Sequence, residues 1–238
     1  MKTFLLALTA VLTVSFATAQ TADEILTKHI DAIGGKDKLA QVTSIYLESG
    51  TEVMGNEMET KTTIVNGKAY RNESDFNGQK LVQVMTDKGG WMINPFAGSS
   101  EPTPIPEEQY KMGQDQIYIS GGLFDYAAHG GKVEYVGQEK LGDVNAYKLK
   151  YTNKDSGEVF YYIDPTTYQA IQAVKKGNAM GQDVTITTSF SNYQKTDAGI
   201  LIPYTTNIDM GQFALKVNVK KVEFNKPVDP AIFEIPKQ

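Results

Sequence analysis

The first periodic pattern in this 238-residue chain is an apolar stripe near its start. Its members are spaced at i, i+3, i+4, i+7, i+8 and i+11, so they share one helix face: Ala22, Ile25, Leu26, His29, Ile30 and Ile33. Asp23 and Glu24 lie in the first turn, where negative charge suits the helix dipole, and Gly34-Gly35 supplies a stop. The pattern predicts an amphipathic helix over residues 22–34 and a short second turn of helix from 36 to 42.

From Ser44 onward the pattern changes to strands separated by tight turns. Turn signals recur about every 9–15 residues, which leaves no room for helical crossovers between parallel strands. We therefore expect a mainly antiparallel β (α+β) fold of about ten to eleven strands, in a sheet that curls around its apolar face. The turn candidates are Gly55-Asn56, Asn66-Gly67, Asn77-Gly78, Asp87–Gly90, Gly142-Asp143, Asp155–Gly157, Asp164-Pro165, Gly177-Asn178, Asp197–Gly199 and Met210-Gly211.

Two of the later strands alternate cleanly between apolar and polar positions. One carries Val184, Ile186, Thr188 and Phe190 on the same face, and the other carries Phe213, Leu215, Val217 and Val219. The phase of the second strand slips after Lys220-Lys221, because Val222 and Phe224 follow. A β-bulge at that point would account for the slip. One face of the sheet is thus expected to be apolar and the other polar.

The strand pattern breaks once, in the middle of the chain. Residues 95–106 contain four prolines and no strand pattern, residues 107–118 lack β alternation, and residues 121–128 are typical of short helices. We expect one or two short helices between about 105 and 128. They would act either as a lid over the open mouth of the sheet or as a fixed cap on a filled core, since interiors usually pack closely.

The first nineteen residues resemble a secretory signal peptide. Lys2 is followed by an apolar run from Phe4 to Phe16, which is shorter than the roughly 20 residues of a membrane span, and by Ala17-Thr18-Ala19. The pattern predicts cleavage after residue 19 and a single exported domain over residues 20–238. No cysteine follows the cleavage site, so no lipid anchor is expected and the predicted location is the periplasm.

Composition and motifs exclude several classes of function. The net charge is −5 and Arg71 is the single arginine, which argues against nucleic-acid binding. Without cysteine there are no disulfides and no thiol chemistry. The two histidines, His29 and His129, have no acidic partner at metal-ligand spacing, and no hydrolase, zinc or phosphate-binding motif occurs. We therefore expect no catalytic residues, no metal and no cofactor. The many Tyr, Phe and Met residues would suit either an ordinary core or an apolar cavity.

The stretch Thr86–Phe96, TDKGGWMINPF, resembles the LolA/LolB family of periplasmic lipoprotein carriers. Residues 160–164 and the closing residues 233–236 are similar to later strands of that family. The resemblance implies a strongly curved, unclosed β-barrel, an antiparallel sheet with helices plugging its mouth, and a cavity that shields acyl chains. It also implies an arginine that holds the lid, for which Arg71 is the candidate.

The leading hypothesis is a non-enzymatic periplasmic carrier that binds acyl chains of lipoproteins or lipids, as a monomer. The alternative is a lipid-sensing or protein-interaction module with the same fold, whose partner would be an envelope membrane protein. Affinity in the first case would come from burial of the acyl chains. The predicted cavity and lid residues are Trp91, Phe96, Met112, Ile117, Tyr118, Leu123, Phe124 and Tyr126.

Overall fold

The computed structural model describes residues 21–53, 56–179, 182–211 and 214–236. The predicted signal peptide and its cleavage site lie outside these ranges. No helix within them is long and apolar enough to cross a membrane.

The chain begins with two helices, α1 (Ala22–Ala32) and α2 (Lys36–Ala40), as the apolar stripe predicts. Thr21 caps α1 with a capping box, in which its hydroxyl accepts from the Glu24 amide and the Glu24 carboxylate accepts from the Thr21 amide. Gly34 and Gly35 end the helix with positive φ, as the Gly-Gly pair predicts. The apolar face of α1 lies in the main core of the protein.

The described residues form a single antiparallel sheet of 13 strands, two or three more strands than expected. The strands are β1 (Ser44–Val53), β2 (Asn56–Val65), β3 (Ala69–Phe76), β4 (Gln79–Thr86), β5 (Gly89–Asn94), β6 (Ser99–Pro104), β7 (Lys132–Leu141), β8 (Val144–Thr152), β9 (Glu158–Ile163), β10 (Ala170–Ala179), β11 (Gln182–Lys195), β12 (Leu201–Asp209) and β13 (Ala214–Phe224). Their order is β6-β5-β4-β3-β2-β1-β13-β12-β11-β10-β9-β8-β7, so the sheet is unclosed and β6 and β7 are its edges.

The chain joins the two edges directly. Residues 105–131, called the insert below, run from the end of β6 to the start of β7. The insert contains α3 (Glu107–Gly113) and three short 3₁₀ helices, Gln114–Ile117, Ile119–Gly122 and Tyr126–His129. Two further 3₁₀ turns lie at Pro95–Ala97 and Pro230–Phe233. Helices are therefore present where the sequence predicts them.

The two faces of the sheet have different neighbours. The inner face is the one against which α1 and the insert pack, through residues such as Ile45, Leu149, Tyr161 and Met85. The outer face carries a smaller cluster formed by Val82, Val84, Trp91, Ile93 and Phe233. Because side chains alternate along a strand, residues paired across neighbouring strands share a face. The pairing registers therefore assign each strand residue to one face.

Several local predictions hold and others are wrong. Lys220 is the extra residue of a β-bulge, because Glu48 pairs with Lys221 while Ser49 pairs with Val219. Asn66-Gly67 and Asn77-Gly78 are turns. Residues 95–106 do contain a strand, β6, and its prolines are tolerated because an edge strand has one unpaired side.

The predicted turn at Gly177-Asn178 is also wrong, since both residues lie within β10. Gly177 pairs with Val184, and a Cβ at Gly177 would overlap the Met112 sulfur. The glycine therefore makes room for a side chain of the insert. Residues 180–181, between β10 and β11, lie outside the described ranges, as does Gly55 of another predicted turn.

Candidate functional site

An apolar area of the inner face is left uncovered by α1 and the insert. Three neighbouring strands, β11, β12 and β13, contribute half-buried aliphatic side chains to it. Among the described residues, these side chains belong to none of the three hydrophobic clusters. We call them the apolar wall: Val184, Ile186, Ile208, Leu215, Val217 and Val219.

Small polar side chains occupy the middle of the inner face on the adjoining strands, β1 to β4, with the apolar side chains of Leu47, Met58 and Leu81 beside them. The two areas meet where Val217 pairs with Thr51 and Val219 pairs with Ser49. The Thr51 and Thr60 hydroxyls lie 3.4 Å apart. We call this second area the polar wall: Ser49, Thr51, Thr60, Thr62, Asn72, Ser74 and Gln83.

The insert is anchored by a buried carboxylate. Asp115 accepts hydrogen bonds from the Tyr151 hydroxyl at 3.1 Å and from the Asn153 amide at 3.0 Å. Burial raises the pKa of Asp115, and these two donors oppose the shift. Burial also raises the pKa of Tyr151, so its phenol keeps its proton and acts as a donor near neutral pH. The insert is thereby tied to β8 and to the turn that follows it.

The same insert is tied to the opposite part of the sheet. The Gly67 amide donates to the Ile117 carbonyl at 2.8 Å, and the Ile119 amide donates to the Asn66 side chain at 3.2 Å. The Tyr110 hydroxyl donates to the Thr86 carbonyl at 2.7 Å. The insert thus bridges β2–β4 and β8–β10, which are not neighbours in the sheet.

Lys175 and Met112 lie at the border between the insert and the apolar wall. Lys175 pairs with Ile186 of the wall, and its ammonium donates to the Met112 carbonyl. Burial lowers the pKa of Lys175, while the charge of Asp115 acts in the opposite direction. The Met112 side chain lies over Gly177, which pairs with Val184 of the wall. Met112 is therefore the predicted site residue that borders the uncovered area.

The other predicted residues of the insert pack into the core. Ile117 and Leu123 are buried in two different hydrophobic clusters. Phe124 and Tyr126 are half-buried against the main cluster, and the Tyr126 hydroxyl donates to Asp23 of α1 at 2.8 Å. Tyr118 stacks on His129 with ring centroids 4.0 Å apart. These contacts are those of a cap that is part of the packed interior.

Arg71 and Trp91 lie on the outer face, away from the insert. Arg71 donates to the Ile232 carbonyl at 2.8 Å and forms an ion pair with Glu73 at 2.6 Å, which lowers the pKa of that carboxyl. The Trp91 indole donates to the Phe233 carbonyl at 2.9 Å. Arg71 therefore holds the C-terminal segment instead of the insert. The reason is strand alternation, since Tyr70 occupies the inward position and residue 71 must point outward.

An outer-face cavity of about 480 Å³ lies beside that C-terminal segment, bounded by Tyr46, Lys61, Arg71 and Ile235. Phe96 lies on the 3₁₀ turn between β5 and β6, beside Phe76 at the end of β3. It is 61% exposed and meets Phe76 edge-on at 5.9 Å. The structure thus separates Phe96, Trp91 and the insert residues, which the sequence pattern groups together.

His29 is buried on α1, with Nδ1 at 2.7 Å from the Tyr168 carbonyl. A carbonyl can only accept, so Nδ1 carries the proton of the neutral ring. Burial lowers the pKa of His29. Within the described ranges, no group of three or more His, Asp or Glu residues is placed to hold a metal ion.

Sequence reasoning missed Lys175, Asp115 and the polar wall. The inward position of Lys175 is detectable from strand alternation, because Ala173, Lys175 and Gly177 occupy every second position of β10 and point to the inner face. The polar wall requires the pairing register of β1 to β4, which a single sequence does not supply. Asp115 is identified only by its contacts with Tyr151 and Asn153, which are distant along the chain.

No protein-family model matches this sequence, and no curated protein matches it. Solved structures do. A LolA superfamily protein from Nitrosomonas europaea aligns with a TM-score of 0.59 at 12% identity, covering 92% of this chain and 99% of that chain. A DUF1329 family protein from Desulfovibrio piger gives a TM-score of 0.58 at 14% identity, with coverages of 91% and 98%. An outer membrane lipoprotein-sorting protein domain from Vibrio parahaemolyticus gives 0.55 at 15% identity, with coverages of 89% and 97%. The fold is LolA-like, as the sequence resemblance implies.

Proposed function

We propose that this protein is a non-enzymatic carrier that binds acyl chains of a lipid or lipoprotein on the inner face of its sheet. The observation that carries the proposal is the apolar wall. Its six aliphatic side chains lie on three paired strands, with Thr188 and Thr206 between them, and belong to no core cluster of the described residues. Uncovered apolar surface of this kind marks an interaction site more often than a defect of packing.

The LolA-like fold supports the same proposal. One structural neighbour is named an outer membrane lipoprotein-sorting protein domain, and another a LolA superfamily protein. At 12–15% sequence identity, these structural similarities show that the fold is shared, and the function is our proposal. The predicted signal peptide would export the proposed carrier to the periplasm, without a lipid anchor.

Binding would rest on burial of hydrocarbon. Each methylene group removed from water contributes about 0.8 kcal/mol, so eight or ten sheltered methylenes give useful affinity without a charged contact. Release requires an acceptor with a more favourable apolar surface. Met112 borders the wall and belongs to an insert anchored at both ends, so exchange would involve movement of the Met112 side chain before movement of the whole insert.

A matched pair of substitutions tests the proposal. Ile208→Asp places a charge within the apolar wall, whereas Asn207→Asp places the same charge one residue earlier, on the exposed outer face. Titration with the fluorescent apolar probe 1-N-phenylnaphthylamine should show at least tenfold weaker binding for Ile208→Asp and unchanged binding for Asn207→Asp. Equal effects of both substitutions, or no probe binding by the delipidated wild-type protein, would contradict the proposal.

Lipid and lipoprotein are separated by the choice of competitor. A triacylated lipopeptide that displaces the probe at much lower concentration than phosphatidylethanolamine would identify lipoprotein as the cargo. The reverse order would identify free lipid. Both competitors are tested on the Asn207→Asp protein as well, so that a change of surface charge is controlled.

A further inference from the structure

The two walls of the inner face differ in polarity: one is aliphatic and the other carries hydroxyl and carboxamide groups. This difference indicates the chemical class of a ligand that would contact both. Across the sheet, Val219 of β13 is followed by Ser49, Thr60 and Ser74 of β1, β2 and β3. The next row is led by Leu47, which pairs with Thr62, followed by Asn72 and Gln83. Hydroxyls thus replace aliphatic side chains at the β13–β1 pair in the first row, and hydroxyl and carboxamide groups follow Leu47 in the second. The first row ends at Leu81 of β4, which pairs with Ser74.

The polar wall carries no formal charge. The charged residues of β1, β2 and β3 nearest to it lie on the outer face, where Glu48 pairs with Lys61 and Lys61 pairs with Glu73. On β1, β2 and β3 the charged side chains point outward, whereas the inward positions carry hydroxyl, amide or apolar side chains. An inward surface of this composition suits neutral hydrogen-bonding groups better than an anionic one.

Two hydroxyls of the polar wall are largely buried and have no hydrogen-bond partner among the described residues. Ser49 is 7% exposed and Ser74 is 6% exposed, and neither hydroxyl bonds to a residue that the structure describes. No fully enclosed side-chain nitrogen or oxygen atom among the described residues lacks a partner, so both hydroxyls retain access to the space over the inner face. Strands normally place branched apolar residues at such positions, because a shielded hydroxyl without a partner opposes folding.

Neighbouring groups of the same wall are already oriented by one another. The Asn72 amide donates to the Thr62 hydroxyl at 2.9 Å. Burial raises the pKa of Tyr70, on the same inner face, to about 12, so its phenol stays neutral. The Gln83 amide donates to the Met85 sulfur at 3.7 Å. Because sulfur is a weak acceptor, a carbonyl oxygen of a ligand would form a stronger hydrogen bond with this amide.

From these observations we infer that the polar wall is a head-group subsite for an uncharged, ester- or hydroxyl-bearing acylglycerol group, whose acyl chain lies on the adjacent apolar wall. The inference rests on the proposed function, because it assigns the second half of the same ligand. The Ser49 and Ser74 hydroxyls would donate to the ester carbonyls or accept from glycerol hydroxyls.

The test uses the double substitution Ser49→Ala and Ser74→Ala, which removes both hydroxyls without adding volume. Its control is Thr63→Val, which removes a hydroxyl from the outer face of β2, where Thr63 pairs with Arg71. Binding is measured by displacement of 1-N-phenylnaphthylamine with three competitors: monopalmitoylglycerol, a dipalmitoylglyceryl-cysteine peptide and hexadecane dispersed in detergent. Thermal unfolding accompanies each titration, and the double variant should be at least as stable as the wild type.

The double variant should bind monopalmitoylglycerol or the lipopeptide about threefold to tenfold more weakly, the effect of one or two lost hydrogen bonds. Hexadecane and the probe should bind it as they bind the wild type, and Thr63→Val should change nothing. A loss confined to the lipopeptide identifies a lipoprotein source and a loss with free acylglycerol identifies a lipid source; both support the subsite. Unchanged affinity for both acylglycerols, with probe binding intact, overturns the subsite alone. Failure of the wild type to bind any of the three competitors overturns the proposed function.

Discussion

The role of the insert is tested by comparing two of its residues that the structure places in different surroundings. Leu123 is 1% exposed and lies in the main hydrophobic cluster, whereas Met112 is half-buried beside the apolar wall. If the insert is a fixed part of the core, truncation of Leu123 must destabilise the whole fold. If the insert is a lid that moves as a unit, that truncation must affect mainly ligand binding.

The expected magnitude for Leu123→Ala follows from its burial. Removing three carbon groups forfeits about 2 kcal/mol of transfer free energy, at roughly 0.8 kcal/mol each. The neighbouring backbone cannot close the space easily, because a Cβ at Gly122 would already meet the Tyr151 hydroxyl at 2.7 Å. A residual cavity adds about 1–2 kcal/mol, so the free energy of unfolding should fall by about 3–4 kcal/mol.

Met112→Ala should behave in the opposite way. Its flexible side chain covers Gly177 at the edge of the wall, so its loss should lower the free energy of unfolding by only about 1 kcal/mol or less. Affinity for an acyl probe should fall about threefold, because part of the apolar contact is lost. Urea unfolding followed by far-ultraviolet circular dichroism, with exposed Gln116→Ala as the control, measures the stabilities. A loss below about 1 kcal/mol for Leu123→Ala would refute the reasoning and favour a lid.

Three further predictions concern groups outside the walls. His29→Gln should flatten the pH dependence of the free energy of unfolding. Burial lowers the pKa of His29 in the folded state below 6.5, so on acidification the unfolded wild-type chain binds a proton first and wild-type stability falls below pH 6.5. Urea unfolding at several pH values measures this difference between the two proteins. Trp91 emission should stay unchanged when an acyl ligand binds, because its indole is bonded to Phe233 on the outer face; a saturable spectral shift would contradict that location. Arg71→Ala should speed amide hydrogen exchange in residues 230–236 about tenfold while leaving the insert unaffected, and equal protection in both proteins would contradict the anchoring role.

The sequence predicts those local features of this fold that are determined by residues close together in the chain. The stripe of α1, the Gly34-Gly35 stop and the Asn-Gly turns all depend on neighbours within four residues. The bulge at Lys220 is also detectable, because one extra residue in a strand shifts the period of two by one position. These features define an antiparallel sheet with an N-terminal helix, although not its 13 strands.

The errors arise where a distant residue decides the outcome. Glycine is typical of turns, yet Gly177 lies in a strand. A glycine is suited to this strand position because Met112, distant along the chain, occupies the space that a side chain would need. The sequence pattern places Trp91 at the cavity, and the family resemblance makes Arg71 the candidate that holds the lid, whereas the face of each residue is set by strand pairing. The candidate site is therefore the part of the molecule that the sequence predicts least, because both walls are assembled from paired strands.

The most direct test of the central claim is to locate the bound acyl chain. Delipidated protein is incubated with a palmitoyl ligand that carries a photoactivatable diazirine near the end of its chain, irradiated, digested and analysed by mass spectrometry. We expect saturable adducts within residues 204–208 and 214–219, on the apolar wall, that unlabelled ligand suppresses. Adducts concentrated around Tyr46, Arg71 and the C-terminal segment, beside the outer-face cavity, would contradict that claim.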